Sequence, residues 1–530
     1  MRRRSFPLGW LALGLLFAGP VDAQEVPDDP VISNLACDPF VEEMELLRYL
    51  RAVSLDVRGT IPTGEELALV KEAGELPEAV LDAWLESDAF ATQALRHHRK
   101  LLWNNISGTN FVQASFRLTR SNTGPVNQRV YWRRNQARYF RDGESVECRN
   151  EPAEFGPGGE ILKDEDGLEG YVEVVPFWSD IPIRVCAFDA QESRYSEAGN
   201  DCSGRGANQD PGCGCGPDLR WCTFGNATRG IQRSMADALD RVILDLFRED
   251  RPYTELFTTR RAYINGPLSF FWRHRTNIAP GLVFEPKPLP LEMVPIKPFS
   301  ADDDWQEVEL PPQHAGILTR PAFLVRFQTN RARANRFYDA FLCQPFNPPD
   351  GGLPVADEES ARNPDLQLRA GCKYCHSLLE PAAAHWGRWA QQGVSYLDPA
   401  RFPMMRADCL ACARSGNCSG ECRNFYVTRA FSEAEEASLG MLTAYQFRRD
   451  DHVRHIEVGP RLLALAAVAS GQLTECVARR AGEWLLGRPL TDDLDQKWIG
   501  ELSRQFAFSD YSYRALVKAI VTDARYRRVR

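Results

Sequence analysis

Several widespread catalytic signatures are missing from this sequence of 530 residues. It contains no GxSxG, Walker A or HExxH motif, and no GxGxxG motif lies between a predicted strand and a predicted helix. No motif therefore indicates that the protein is a serine hydrolase, a P-loop enzyme, a zinc protease or a dinucleotide-binding enzyme. The sequence also has no internal repeat of about 20–50 residues and no low-complexity tract, which argues against solenoid and disordered chains.

The sequence also has fewer basic residues than acidic ones. The chain has 63 Lys and Arg against 72 Asp and Glu, for a formal net charge of −9. Proteins that hold nucleic acids by neutralising phosphates need the opposite balance, so we expect no nucleic-acid partner. An acidic surface would instead steer a basic protein partner, at a rate that falls as salt is added.

Long apolar runs are confined to the N-terminus. Arg2 to Arg4 precede an apolar stretch over 7–19, and Val21-Asp22-Ala23 offers small residues for cleavage. This pattern predicts a secretory signal peptide over 1–23, with a twin-arginine signal as a variant. No later run reaches about 18 apolar residues. We therefore expect a periplasmic or secreted bacterial protein without a transmembrane segment in the mature chain.

Cysteine is abundant, with 15 residues, as expected in an oxidising compartment. Two groups of four stand out: Cys202, Cys213, Cys215 and Cys222, and Cys409, Cys412, Cys418 and Cys422. We expect two disulfides in each group, with a zinc or iron–sulfur site as the alternative. Five more cysteines are scattered along the chain: Cys37, Cys148, Cys186, Cys343 and Cys476.

Hydrophobic periodicity predicts a mainly α-helical, multi-domain protein. After the signal peptide we expect an N-terminal helical module (24–106), an insertion with short strands and a Cys-rich loop (107–230), a helical segment with a Pro-rich extended linker (231–312), the segment with the candidate chemistry (313–426), and a C-terminal helical domain (427–530). Strands are predicted over 170–177 and 183–188. Thr63 with Glu66, and Ser432 with Glu435, predict capped helix starts.

The motif with chemical meaning is Cys372-Lys373-Tyr374-Cys375-His376, a CxxCH sequence. Two thiols one helical turn apart can each form a thioether with one heme, and the following histidine can ligate the iron. The sequence therefore predicts covalent heme c on Cys372 and Cys375, with His376 as the proximal ligand. The alternatives are a structural disulfide and a redox-active CxxC motif, although no βαβ pattern lies nearby.

A second axial ligand is open at this stage. Met404 and Met405 follow the motif by about thirty residues, and a thioether ligand there would raise the reduction potential. Met441 is a more distant candidate in the sequence, and His385 lies on the helix that is predicted to start at the motif. An open distal face would allow ligand binding instead. The other histidine pairs, His97-His98 and His452 with His455, fit packed or solvated side chains better than ligands.

Beyond the CxxCH motif, several segments resemble the planctomycete-type cytochrome C family in their order along the chain. These are His314-Ala-Gly-Ile-Leu-Thr319 with Pro321-Ala-Phe-Leu324, Phe341-Leu-Cys343, Gly487-Arg-Pro-Leu490, the tail from Tyr511, and Leu55 to Thr63. The resemblance implies a cytochrome-c-like helical segment over 313–426, followed by a small helical domain. It implies heme and a redox context, without a particular reaction.

The sequence departs from that family just after the motif. Glu380-Pro381-Ala382-Ala383 keeps the proline of the usual Asp-Pro-x-Gly but not its glycine, and Trp386 to Trp389 replaces an acidic pair. We therefore do not assign to this chain the partner or substrate contacts that are specific to the family. The sequence predicts an exported c-type cytochrome that transfers single electrons. A disulfide-stapled helical scaffold without heme, and a heme-dependent oxidoreductase with a second site within 107–230, are the alternatives.

Overall fold

The structure is a computed structural model, and it describes residues 43–109, 116–122, 124–134, 146–204, 210, 212–274, 286–346 and 362–528. The predicted signal peptide and Cys37 lie outside these residues. Within them the fold is mainly helical with a few short strands, as the sequence predicts.

The helices of the described residues come in three groups along the chain. The N-terminal group contains α1 (Leu46–Arg58), α2 (Gly64–Ala73), α3 (Glu78–Leu85) and α4 (Asp88–Leu102). The middle group contains α5 (Gly225–Arg248), α6 (Gly266–His274), α7 (Pro321–Arg326), α8 (Asn330–Leu342), α9 (Lys373–Ala384), α10 (Ala407–Ser415), α11 (Gly420–Phe425) and α12 (Glu433–Glu436). The C-terminal group contains α13 (Asp450–Val458), α14 (Pro460–Ala469), α15 (Gln472–Leu486), α16 (Asp493–Phe508), α17 (Tyr513–Thr522) and α18 (Ala524–Arg527).

The strands form two small sheets. The first has the order β1-β2-β4-β3, from β1 (Thr119–Arg120), β2 (Tyr131–Trp132), β3 (Tyr171–Val174) and β4 (Ile183–Cys186). The predicted strand pair is confirmed as β3 and β4, which run antiparallel with Tyr171 opposite Cys186. The second sheet pairs β5 (Arg261–Ile264) with β6 (Gln306–Glu309).

The β6 strand lies within the segment for which the sequence predicts a Pro-rich extended linker. Its residues, Gln-Glu-Val-Glu, lack the alternation of apolar and polar residues that predicts a strand, so no strand is expected there from the sequence. The backbone of β6 pairs with β5, and Arg261 Nε lies 3.0 Å from Glu307 Oε1 across the two strands. Cross-strand charge pairs of this kind stabilise an exposed two-stranded sheet.

The first and last helical groups of the described residues share one hydrophobic core. Helix α1 buries Tyr49, Leu50, Val53 and Val57 at helical spacing, and these side chains belong to the same cluster as the buried residues of α16 and α17. Tyr49 Oη donates a hydrogen bond of 3.0 Å to the carbonyl oxygen of Val521. The N-terminal and C-terminal helical segments are therefore packed together in the folded molecule.

The two predicted helix starts behave differently. At Thr63 the capping box is complete, since the Thr63 side chain accepts the Glu66 N–H while the Glu66 carboxylate accepts the Thr63 N–H. At Ser432 the helix begins as predicted, but it has only four residues. The chain then turns back so that Gly440 accepts a hydrogen bond from Arg406 N–H, and this return ends the helix early.

Six disulfides brace the described residues. They join Cys148 to Cys186, Cys202 to Cys213, Cys215 to Cys222, Cys343 to Cys476, Cys409 to Cys422, and Cys412 to Cys418. Both groups of four cysteines thus form two disulfides each, which confirms that prediction.

Within the described residues, no individual helix has the length and apolar character needed to cross a bilayer. Helices α14 and α15 together are long and apolar enough, but they are bent by 80° relative to each other.

Candidate heme-attachment site

The CxxCH motif lies at the start of α9. Cys372 is the residue before the helix, and its carbonyl oxygen accepts the N–H of His376 at 3.0 Å. Cys372, Cys375 and His376 are half-buried, whereas Lys373 and Tyr374 between them are exposed. Positions i, i+3 and i+4 lie on one side of a helix, so both thiols and the imidazole share the inward side of α9.

These two thiols differ from the other cysteines that the structure describes. Twelve of those cysteines are paired in disulfides, while Cys372 and Cys375 are free. A pair of accessible thiols at CxxC spacing is the arrangement that thioether attachment of heme requires. The donor set at the start of α9 therefore fits the cofactor that the motif predicts.

The His376 imidazole has a carboxylate partner one helical turn along. Its Nδ1 lies 2.7 Å from Oε1 of Glu380. An ionised carboxylate only accepts hydrogen bonds, so in the neutral imidazole the proton lies on Nδ1 and the lone pair on Nε2. Metal-bound histidines commonly have such a partner on the second nitrogen, which fixes the ring and makes it a stronger ligand.

Glu380 is held in turn by two arginines from other parts of the chain. Arg331 Nε from α8 lies 2.5 Å from Oε1, and Arg448 Nη1 lies 3.1 Å from Oε2. Burial by itself would raise the pKa of Glu380, but the hydrogen bonds and charges of Arg331, His376 and Arg448 outweigh it and lower the pKa. Glu380 is thus a buried, ionised group at neutral pH. The sequence analysis did not find it, because its partners lie 49 and 68 residues away.

The far end of α9 is fixed by another residue that the sequence analysis missed. The Arg333 side chain is fully buried, and its guanidinium donates hydrogen bonds to the carbonyl oxygens of Phe327, Trp389, Ala390 and Gly393. The last three acceptors lie in the turns that follow α9. A single side chain of α8 therefore holds the exit from the candidate heme helix.

The predicted distal ligands lie in a short antiparallel pairing at the edge of the disulfide-braced helices α10 and α11. Met405 pairs with Met441, and the Met404 carbonyl accepts the Leu442 N–H at 2.8 Å. The exposed fractions are 42% for Met404 and 43% for Met405. Both thioethers are thus accessible, and their role as iron ligands stays a prediction.

The other histidines are packed, as predicted. His97 stacks on Trp484 with ring centroids 4.9 Å apart. His452 and His455 share one side of α13, and His455 stacks on His385 at 4.2 Å.

Other groups of potential metal ligands are consumed by disulfides. Among the described residues, three such side chains come together at two places, Cys148-Glu169-Cys186 and Asp408-Cys409-Cys422. In each group both cysteines are bonded to each other. No thiolate remains there for a zinc ion or an iron–sulfur cluster.

Comparison of the chain with protein-family models, with curated proteins and with solved structures found no match. The resemblance to the planctomycete-type cytochrome C family stays a prediction from the sequence.

Proposed function

We propose that this protein is an exported c-type cytochrome that transfers single electrons, with heme c held covalently by Cys372 and Cys375. The observation that carries the proposal is the contrast among the described cysteines, in which only this CxxCH pair has free thiols beside a histidine with a carboxylate partner. Heme would supply the one-electron chemistry of its iron.

The residues of the chain have distinct tasks in this proposal. Cys372 and Cys375 anchor the cofactor, and His376 offers Nε2 as the proximal ligand. Glu380 holds the proton on Nδ1 and keeps the imidazole in one orientation. Met404 or Met405 is the proposed sixth ligand, in keeping with the accessibility of both thioethers.

A redox partner would meet the outer side of α9. Tyr374 is 56% exposed and Leu378 is 46% exposed on that side, next to the motif. Exposed apolar side chains beside a cofactor suit a brief protein contact. The net acidic charge of the chain favours a basic partner, and association should slow as salt is added.

Intact mass and heme staining test the proposal directly. The chain is produced in a host that matures c-type cytochromes and is analysed after denaturation, so that only covalent heme is counted. We expect the mass of one macrocycle in the wild type and its loss in Cys372→Ser/Cys375→Ser. The matched control is Cys412→Ser/Cys418→Ser, which removes two cysteines of a disulfide and should keep the heme.

Two outcomes would overturn the proposal. The first is colourless wild-type protein in which Cys372 and Cys375 are bridged, a state lighter by two hydrogens, which supports the disulfide-stapled scaffold. The second is heme that dissociates on denaturation, since thioether bonds survive it. Spectra of Met404→Ala and Met405→Ala then show which thioether, if either, binds the iron.

A further inference from the structure

A small cavity lies where α5, α6, β5 and α7 meet. It has a volume of about 40 Å³. Most of its lining is apolar, and includes Leu239, Ala262, Leu268, Leu289, Leu310 and Leu324. Polar side chains also line it, among them His314 and Arg320. His314 begins the His-Ala-Gly-Ile-Leu-Thr segment and Arg320 follows that segment directly. The proposed cytochrome function leaves both residues without a role.

Four polar atoms of His314 and Arg320 lack hydrogen-bond partners among the described residues. His314 is 3% exposed, and neither of its ring nitrogens has a hydrogen-bond partner. Arg320 is 4% exposed, and its Nε and Nη1 are likewise unpartnered. Only its Nη2 is satisfied, by the carbonyl oxygens of Arg261 at 2.6 Å and Thr259 at 3.3 Å. Unpaired buried donors of this kind are costly, and are normally matched by an acceptor.

The electrostatics of the cavity favour an anion. Burial lowers the pKa of Arg320 to about 9, so the guanidinium is still charged at neutral pH. Burial, and then the charge of Arg320, lowers the pKa of His314 to about 3, so the imidazole is neutral. The guanidinium forms no ion pair with a described carboxylate. A buried cation without a counter-charge is strongly unfavourable, and a bound anion would remove that cost.

We propose that this cavity binds a small monocarboxylate of the size of formate or acetate. The carboxylate would accept hydrogen bonds from Arg320 Nε and Nη1 and from the protonated nitrogen of His314. A water molecule needs about 10–15 Å³ of such space, so the cavity holds three or four non-hydrogen atoms. The apolar walls suit a methyl group or a hydrogen atom and disfavour a second charge.

The proposal does not rest on heme, although the two places are connected. The Trp389 ring, which follows α9, meets His314 with centroids 4.9 Å apart. Trp386 Nε1 donates a hydrogen bond of 3.0 Å to the carbonyl oxygen of Leu318 in the same segment. Two buried tryptophans that follow α9 therefore contact the segment that carries His314. Binding should be equal in the wild type and in Cys372→Ser/Cys375→Ser.

Calorimetric titration and thermal unfolding of the mature chain with acetate test the proposal, at constant ionic strength. Acetamide has the same shape as acetate but no charge, so it serves as the control. It shows whether binding requires the carboxylate charge or only a molecule of the right size. We expect saturable heat and a rise in Tm with acetate, and neither with acetamide. A cavity that holds only water would give no difference between the two compounds, and this result would overturn the proposal.

Three variants locate the binding. Arg320→Met should weaken acetate binding by about tenfold or more, because it removes a charge-assisted pair. Ala238→Leu fills the cavity without touching a polar group and should also abolish binding, so it decides the question if Arg320→Met does not fold. Arg260→Met removes an exposed arginine near the same sheet and should bind acetate normally. Undiminished binding in a folded Ala238→Leu protein would place the acetate elsewhere and overturn the proposal.

Discussion

Nδ1 of His376 lies 2.7 Å from Oε1 of Glu380, one turn further along the same helix. This pair links the candidate heme ligand to a buried carboxylate that two arginines hold in place. If His376 ligates heme iron as proposed, the negative charge would make the imidazole a stronger donor and would favour the oxidised state.

Replacing Glu380 with glutamine should therefore raise the reduction potential without removing the heme. We expect a rise on the order of 60 mV, which corresponds to about a tenfold change in a one-electron equilibrium. Potentiometric titration of the heme absorption measures it. The control is Glu433→Gln, which removes one exposed charge on α12. An equal shift in both variants would show a general charge effect instead of an effect through His376.

Glu66 makes the N-terminal helices sensitive to acid. Its carboxylate accepts hydrogen bonds from Arg58 Nη2 at 2.9 Å, from the Thr63 N–H at 2.8 Å, and from Trp84 Nε1 at 2.7 Å. Burial by itself would raise the pKa of Glu66, but these hydrogen bonds and the charge of Arg58 lower it to about 2. The unfolded chain binds this proton more readily than the folded one, so the stabilisation is present above about pH 4.5 and is lost as the pH falls towards 2.

Glu66→Gln should accordingly lower the free energy of unfolding by about 2 kcal/mol at pH 7 and by much less near pH 2. Urea unfolding at both pH values measures this difference. Glu65→Gln, one residue earlier on the exposed side of α2, should change stability little at either pH. A Glu66→Gln penalty that is the same at pH 7 and pH 2 would contradict the argument from the pKa.

Replacing Arg333 with lysine should destabilise the protein. The planar guanidinium donates hydrogen bonds to five backbone carbonyl oxygens, and a lysine ammonium cannot reach them all. We expect Arg333→Lys to cost about 3 kcal/mol in the free energy of unfolding, since buried acceptors lose their partners. Denaturant unfolding measures this cost. Arg326→Lys, on an exposed site of α7, is the matched control and should be nearly neutral.

The disulfides should differ in how much each contributes to the free energy of unfolding. Cys343–Cys476 joins α8 to α15 across 133 residues, whereas Cys215–Cys222 closes a loop with a separation of 7. Because the entropy removed from the unfolded chain grows with loop length, the double serine variant of the long pair should cost about 5 kcal/mol and that of the short pair about 2 kcal/mol. Urea unfolding of both variants gives the order, and a larger loss from the short pair would contradict it.

The sequence by itself determined the features that depend on neighbouring residues. The mainly helical class, the capping box at Thr63 and Glu66, and the strand pair β3 and β4 follow from local spacing and are present in the structure. The shared side of Cys372, Cys375 and His376 follows from the helical period alone. The sequence also indicated two disulfides in each four-cysteine group, but not which cysteines pair.

Only the tertiary structure decided which distant groups meet. Arg331 and Arg448 contact Glu380 from separate segments of the chain. Arg333 donates hydrogen bonds to the turns after α9. The β6 strand forms because β5 lies beside it. The cavity at His314 and Arg320 arises where four elements converge. None of these contacts leaves a periodic or local signal, because the residues involved are separated by tens of positions and come together only when the chain packs.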